Sequence, residues 1–178
     1  FNGDGKPDAV TCHSHNSRQI AVYFGNGSGT VATPILTPFP DQLTNIFVAD
    51  FNSDGKDDVF VVDETSQGKL MLSTGLGTFT LAPGSPISIL DSTVELHVGD
   101  FNNDQHPDLV IARDAAISMW IGSQTGQLTQ LMTTIPNLSH AVPGDFNGDG
   151  RLDLAGVTGE LVIGVLGNGD GTFSGSFS

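Results

Sequence analysis

Apolar and polar positions alternate along this chain in short runs. Val94-Glu95-Leu96-His97-Val98, Ile117-Ser118-Met119-Trp120-Ile121 and Gln127-Leu128-Thr129-Gln130-Leu131 each alternate, while Leu109-Val110-Ile111-Ala112 is almost wholly apolar. A period of two marks a strand with one covered face, and a short continuous apolar run fits a strand covered on both. No window sustains a 3.6-residue period over a helix-length stretch, so strands alone are predicted. Clusters of Gly, Asp and Asn separate the runs and supply the turns. Each unit reads as strand, Asp-rich loop, strand, hairpin, strand, Gly-rich turn, strand. The predicted class is all-β, built of four-stranded antiparallel sheets of ~45 residues, the size of a propeller blade.

The punctuation repeats. Asp50-Phe51-Asn52-Ser53-Asp54-Gly55-Lys56-Asp57-Asp58 recurs as Asp100-Phe101-Asn102-Asn103-Asp104-Gln105-His106-Pro107-Asp108 and as Asp145-Phe146-Asn147-Gly148-Asp149-Gly150-Arg151-Leu152-Asp153. The copies start at residues 50, 100 and 145, so the period is 50 and then 45 residues. Phe1-Asn2-Gly3-Asp4-Gly5-Lys6-Pro7-Asp8 is a further copy without the leading Asp. A second element falls between the loops, as Gly25-Asn26-Gly27-Ser28-Gly29-Thr30, Thr74-Gly75-Leu76-Gly77-Thr78-Phe79 and Gly167-Asn168-Gly169-Asp170-Gly171-Thr172-Phe173, with Gly122-Ser123-Gln124-Thr125-Gly126-Gln127 as the divergent copy. The expected organisation is one region over 1–178 with repeats near 1–44, 45–93, 94–138 and 139–178.

Composition sharpens the loops' chemistry. The formal charge is −14, and Glu64, Glu95 and Glu160 are the only glutamates among the acids. Such a surface repels nucleic acid and anionic membrane, so no nucleic-acid partner is expected. No apolar run approaches the ~20 residues that span a bilayer, so no membrane span is expected. Cys12 is the only cysteine, which excludes an intrachain disulfide and a thiolate zinc site.

Calcium takes six to eight oxygen ligands, and a nine-residue loop with oxygens at positions one, three, five and nine plus a carbonyl at seven can wrap one ion. The second loop offers Asp50, Asn52, Asp54, Asp58 and the Lys56 carbonyl, the third Asp100, Asn102, Asp104, Asp108 and the His106 carbonyl, and the fourth Asp145, Asn147, Asp149, Asp153 and the Arg151 carbonyl. The first offers Asn2, Asp4, Asp8 and the Lys6 carbonyl, a set short of one ligand. Up to four Ca2+ sites follow, with those at 50–58 and 145–153 complete. Gln105 stands where the loop's sharp turn prefers glycine, so the third loop is expected to be strained or looser. The plain alternative is that each loop is only an Asp/Asn/Gly hairpin turn. No Glu closes the loop at a twelfth position, so an EF-hand is not expected. Phe1, Phe51, Phe101 and Phe146 are expected to plug the core beneath their loops.

The Asp-Phe-Asn-x-Asp loop before an apolar strand, with its Gly-Asn-Gly-x-Gly-Thr-Phe turn, resembles the FG-GAP and VCBS repeats of integrin α-subunit propeller heads and of many secreted proteins. The resemblance implies about four propeller blades, part of a larger propeller, with closure as a four-bladed ring or completion by a second copy as the alternatives. It also implies an extracellular or cell-surface calcium-binding module acting in adhesion, protein interaction or structural assembly. A calcium-stabilised lectin is the alternative, and an accessory domain of a secreted polysaccharide-degrading enzyme comes behind it. The chain opens inside a repeat and is expected to be a mature product or a fragment. Its incomplete first blade exposes a strand edge that invites self-association.

No catalytic constellation emerges: no G-x-S-x-G, H-E-x-x-H or P-loop pattern occurs, and no enzyme activity is expected. His13 and His15 read as solvent-facing, and His97 and His140 as residues of a central channel. Trp120 and Tyr23 are the only polar-tipped aromatics, few for a sugar-stacking surface. The partner is expected to be a protein or a glycan.

Overall fold

A computed structural model of the chain describes residues 1–12, 18–89, 95–113, 116–132 and 138–177. Among them every regular element is a strand. The first sheet joins β1 (Ala9–Cys12), β2 (Gln19–Tyr23) and β3 (Ile35–Pro38) in sequence order. The second runs β4 (Leu43–Ala49), β5 (Asp58–Asp63), β6 (Gln67–Ser73) and β7 (Phe79–Leu81), with β8 (Ile87–Ser88) pairing to β6. The third joins β9 (Glu95–Gly99), β10 (Asp108–Arg113), β11 (Ala116–Ile121) and β12 (Thr129–Leu131). The fourth joins β13 (Ser139–Gly144), β14 (Asp153–Thr158), β15 (Leu161–Gly167) and β16 (Phe173–Phe177). All pairings are antiparallel, and all but that of β8 with β6 join successive strands, as short connections demand. These are propeller-type blades, the class the alternation predicts.

The burial of each strand follows its pattern. The apolar run Val59-Phe60-Val61-Val62 becomes β5, buried along its whole length, and Leu109-Val110-Ile111-Ala112 does the same in β10. These central strands are covered on both faces, which is why they do not alternate.

The chain forms two compact units. One holds Phe1–Ser92 with Thr125–Gln127, and the other holds Thr93–Gln124 with Leu128–Ser178. In the first unit Phe1, Ile20, Val22, Phe39 and Leu43 pack with Val59, Val61, Met71 and Phe79 into one core joining the first and second sheets. In the second, Phe101, Val110, Met119, Leu138, Leu154 and Val165 join the third and fourth. Each core is made by laying one sheet on the next, because a single four-stranded sheet cannot bury its own apolar face.

The expectation for the loop phenylalanines holds for three and fails for one. Phe1, Phe51 and Phe101 are buried, whereas Phe146 is 49% exposed. Phe1 meets Phe79 edge-on with ring centroids 6.1 Å apart, and Phe101 meets Phe173 at the same separation. In both cases the covering ring comes from the glycine-rich turn of the next sheet. Among the described residues Phe146 has no such neighbour, and it leans on Phe177 of its own sheet, with centroids 5.7 Å apart.

Candidate metal centre

The four Asp-rich loops share one backbone. Positions four and six are left-handed in each: Gly3 (φ 72) and Gly5 (φ 76), Ser53 (φ 57) and Gly55 (φ 82), Asn103 (φ 59) and Gln105 (φ 69), Gly148 (φ 78) and Gly150 (φ 82). This double reversal turns successive N–H groups inward, and the loop's own side-chain oxygens receive them. In the second loop Asp54 N donates to Asp50 Oδ1 at 3.0 Å and to Asn52 Oδ1 at 3.2 Å. Gly55 N donates to Asp50 Oδ2 at 2.8 Å, and Lys56 N to Asp54 Oδ1 at 2.9 Å. The fourth loop repeats this, with Gly150 N to Asp145 Oδ2 at 2.9 Å and Arg151 N to Asp149 Oδ1 at 2.9 Å. The N–H groups of Gly150, Gly148 and Asp149 hold the Asp145 carboxyl below its usual range.

The third loop is strained without being looser. Gln105 takes the left-handed conformation its position demands, and its N–H still reaches Asp100 Oδ2 at 2.9 Å. Asp104 N donates to Asp100 Oδ1 and Asn102 Oδ1, both at 3.0 Å, and His106 N donates to Asp104 Oδ1 at 2.8 Å. In the first loop Asp4 N donates to Asn2 Oδ1 at 3.0 Å and Lys6 N to Asp4 Oδ1 at 2.9 Å.

The ninth-position carboxylates stand apart. Asp58, Asp108 and Asp153 are wholly buried, and each ties the start of its loop to the end of the third strand of its sheet. Asp58 accepts Phe51 N on Oδ2 at 3.0 Å and Ser73 N on Oδ1 at 2.8 Å. Asp108 accepts Phe101 N and Gly122 N at 2.8 and 2.9 Å, and Asp153 accepts Phe146 N and Gly167 N at 2.9 and 2.8 Å. Asp8 holds the Phe1 amino group at 2.9 Å and Gly25 N at 2.8 Å in the same way. Burial, reinforced by the charges of Asp54 and Asp50, pushes Asp58 up to about 6 against the opposing Ser73 and Phe51 N–H bonds. Asp108 is likewise pushed up to about 6 by burial, with Asp104 and Asp100 beside it. The sequence marks these residues as ligands; their second duty as backbone clamps is visible only once strand and loop are assembled.

The donor set suits a hard cation, since every side chain in the loops that could face an ion offers oxygen. As the side chains stand, the first, third and fifth positions turn onto the loop's own N–H groups. Among the described residues no three acidic, His or Cys side chains converge on a common point. Lysine also competes: Lys56 Nζ lies 3.1 Å from Asp54 Oδ2, and Lys6 Nζ lies 3.7 Å from Asp4 Oδ2. The donor chemistry is that of a hard-cation site, while the side chains as they stand are not gathered around one point.

One cluster escaped sequence reasoning. The fully buried Asp63 accepts Thr65 N at 2.9 Å, Thr65 Oγ1 at 2.6 Å, Gln67 N at 3.1 Å and the Lys69 ammonium. Lys69 also reaches Asp41 Oδ2 at 3.2 Å and stands over the Phe39 ring at 5.1 Å. Nothing in the spacing of residues 41, 63 and 69 signals their meeting. Elsewhere, His140 is exposed and its Nδ1 lies 2.6 Å from Glu95 Oε1, while His97 Nε2 is buried with no hydrogen-bond partner among the described residues. His13 and His15 lie outside the described residues.

Antiparallel sheets of three to five strands, each holding an Asp-rich loop ahead of its central apolar strand and a Gly-rich turn, define a β-propeller repeat protein. The profile of the FG-GAP-like repeat matches residues 1–61, 50–111 and 100–156, and the chain belongs to that family. Repeats of this kind form propeller-like protein-interaction modules and occur in extracellular or surface proteins generally. A solved lectin of Agrocybe aegerita, described as recognising non-reducing terminal N-acetylglucosamine, is similar at 18% identity and a TM-score of 0.47. The match covers 99% of this chain and 63% of the lectin's. No curated protein sequence matches the chain.

Proposed function

We propose that this chain is a non-catalytic, extracellular interaction module whose Asp-rich loops bind calcium and are rigidified by it. The observation that supports this reading is the common loop backbone, kept even where Gln105 must adopt φ 69 to keep it. A turn that served only to reverse the chain would not need three carboxylates in nine residues. In the second loop Asp50, Asn52, Asp54, Asp58 and the Lys56 carbonyl would hold the ion, and the matching residues would do so in the third and fourth. A bound divalent cation supplies charge neutralisation, which opposes the mutual repulsion of Asp50, Asp54 and Asp58. The blades so stiffened present their other loops to a partner.

A protein partner is favoured over a glycan. Trp120 is half-buried in β11, and its indole N–H is already engaged with Ser118 Oγ at 3.3 Å, so it offers little as a stacking platform. The test is thermal unfolding with calcium and with a chelator. At millimolar calcium a site of tens-of-micromolar affinity adds about 2 kcal/mol by mass action. The expected result is a melting temperature several degrees higher with calcium. An unchanged melting temperature, with no heat of calcium binding by calorimetry, would sink the reading.

A further inference from the structure

The sequence holds four Asn-Gly pairs: Asn2-Gly3, Asn26-Gly27, Asn147-Gly148 and Asn168-Gly169. Such a pair carries a latent reaction, attack of the glycine nitrogen on the asparagine's side-chain carbonyl, because no Cβ on the second residue crowds the ring that forms. The reaction needs a base for the attacking N–H and a donor for the oxygen that gains charge. What surrounds each pair therefore decides which of them reacts.

Around Asn147 these parts stand together. Gly148 N donates to Asp145 Oδ1 at 2.7 Å, so a carboxylate already receives the hydrogen that must leave. Asp149 N donates to Asn147 Oδ1 at 2.9 Å, a bond that strengthens as the oxygen becomes negative. Asn147 Nδ2, the group to be expelled, donates to Asp149 Oδ2 at 3.0 Å. The other pairs lack the base. Asn26 Nδ2 donates to Thr30 Oγ1 at 2.5 Å, and its Oδ1 receives Ser28 N at 2.8 Å. Asn168 is held in a similar way, by Thr172 Oγ1 at 2.8 Å and Ser174 Oγ at 2.5 Å. Among the described residues no carboxylate receives Gly3 N, Gly27 N or Gly169 N.

We propose that Asn147 is a self-modification site, at which the fourth loop converts its own carboxamide to a carboxylate. Asp145 takes the N–H proton as Gly148 N forms a bond to Asn147 Cγ, and the Asp149 N–H holds the oxyanion. The bond from Cγ to Nδ2 then breaks, and Nδ2 leaves as ammonia with the proton Asp145 took. A five-membered imide remains. Water opens it at either carbonyl, to an aspartyl residue or to an isoaspartyl residue whose backbone is longer by one carbon. The product adds a negative charge to a loop that already carries Asp145, Asp149 and Asp153. On the calcium reading above, it also turns an amide ligand into a carboxylate; that consequence rests on the reading, and the chemistry does not.

The experiment is peptide mapping by mass spectrometry of the 178-residue chain, held at neutral pH with a chelator and sampled over time. Asn168 is the internal control, since both residues begin an Asn-Gly-Asp triad. In the folded chain Asn147 should be lost several times faster than Asn168, with aspartyl and isoaspartyl peptides in its place. In guanidinium chloride the two should react alike. Asp145→Asn should slow Asn147 several-fold, while an Asn168 rate unchanged from the folded parent shows that the variant folds; if it does not fold, the parent's folded and denatured rates decide. Equal loss at the two residues in the folded chain overturns the proposal. So does an Asn147 advantage that persists in guanidinium chloride, or a folded Asp145→Asn that reacts at the parent rate. None of these readouts needs calcium to bind, so a failure here is distinct from a failure of the calcium reading.

Discussion

The backbone N–H of Phe101 donates to Oδ2 of Asp108, seven residues ahead, at 2.8 Å. The other oxygen of Asp108 receives Gly122 N, so one buried carboxylate closes the loop and anchors the third strand of its sheet. Replacing Asp108 by Asn keeps the shape but turns one acceptor into a donor that faces an N–H. Such a buried mismatch costs about 2–4 kcal/mol. Urea unfolding of Asp108→Asn should show a lowered midpoint, while the exposed Asp57→Asn should stay within about 0.5 kcal/mol of the parent.

The same clamps set a pH dependence. Asp58 and Asp108 rise from 3.8 to about 6 on folding in the absence of metal, so the native state binds their protons more tightly than the unfolded one. Their contribution is complete below pH 3.8 and is lost as pH rises through about 6. Each is worth on the order of 2–3 kcal/mol. The calcium-free chain should therefore resist urea better at pH 5 than at pH 7, and saturating calcium should flatten that difference. A calcium-free midpoint that climbs from pH 5 to pH 7 would contradict the assignment.

Asp63 runs the other way. Burial acts to raise its pKa, but the Lys69 ammonium and the Thr65 and Gln67 donors outweigh it and hold the carboxyl below 3.8. Its stabilisation is present above the unfolded value and is lost as pH falls through the lower folded one. Lys69→Met removes the cation and leaves a buried carboxylate charge, at a cost of about 3 kcal/mol near neutral pH. The deficit should shrink at pH 3, where protonation of Asp63 relieves it. Denaturation midpoints at the two pH values check both statements.

Gln105 is held at φ 69, where a side chain costs roughly 1 kcal/mol that glycine does not incur. Gln105→Gly should raise the urea midpoint by about 0.5–1 kcal/mol, the greater backbone freedom of the unfolded chain offsetting part of the gain. Gly55→Gln should do the reverse. If Gln105→Gly lowers stability, the side chain makes a contact that outweighs the strain.

How much of this was readable from the chain follows physical range. Period-two patterning, the turn residues and the loop motif act over a few residues, so the sequence alone determined the all-β class, the recurrence of the Asp-rich loop and the left-handed stress on Gln105. The hard-oxygen donor set was equally legible, because it is a matter of composition within nine residues. Burial is different, since it depends on what packs across from a residue. Phe1 and Phe146 sit in matching loops, yet Phe1 is covered by Phe79 and Phe146 is half open. Asp58 and Asp54 lie four residues apart, yet one is a buried clamp and the other an exposed loop carboxylate. Lys69 finds Asp41 from 28 residues away only because β6 carries it there. Sequence settled what each segment could become; the laying of one sheet on the next decided which identical side chains were covered, which were clamped and which were left facing solvent.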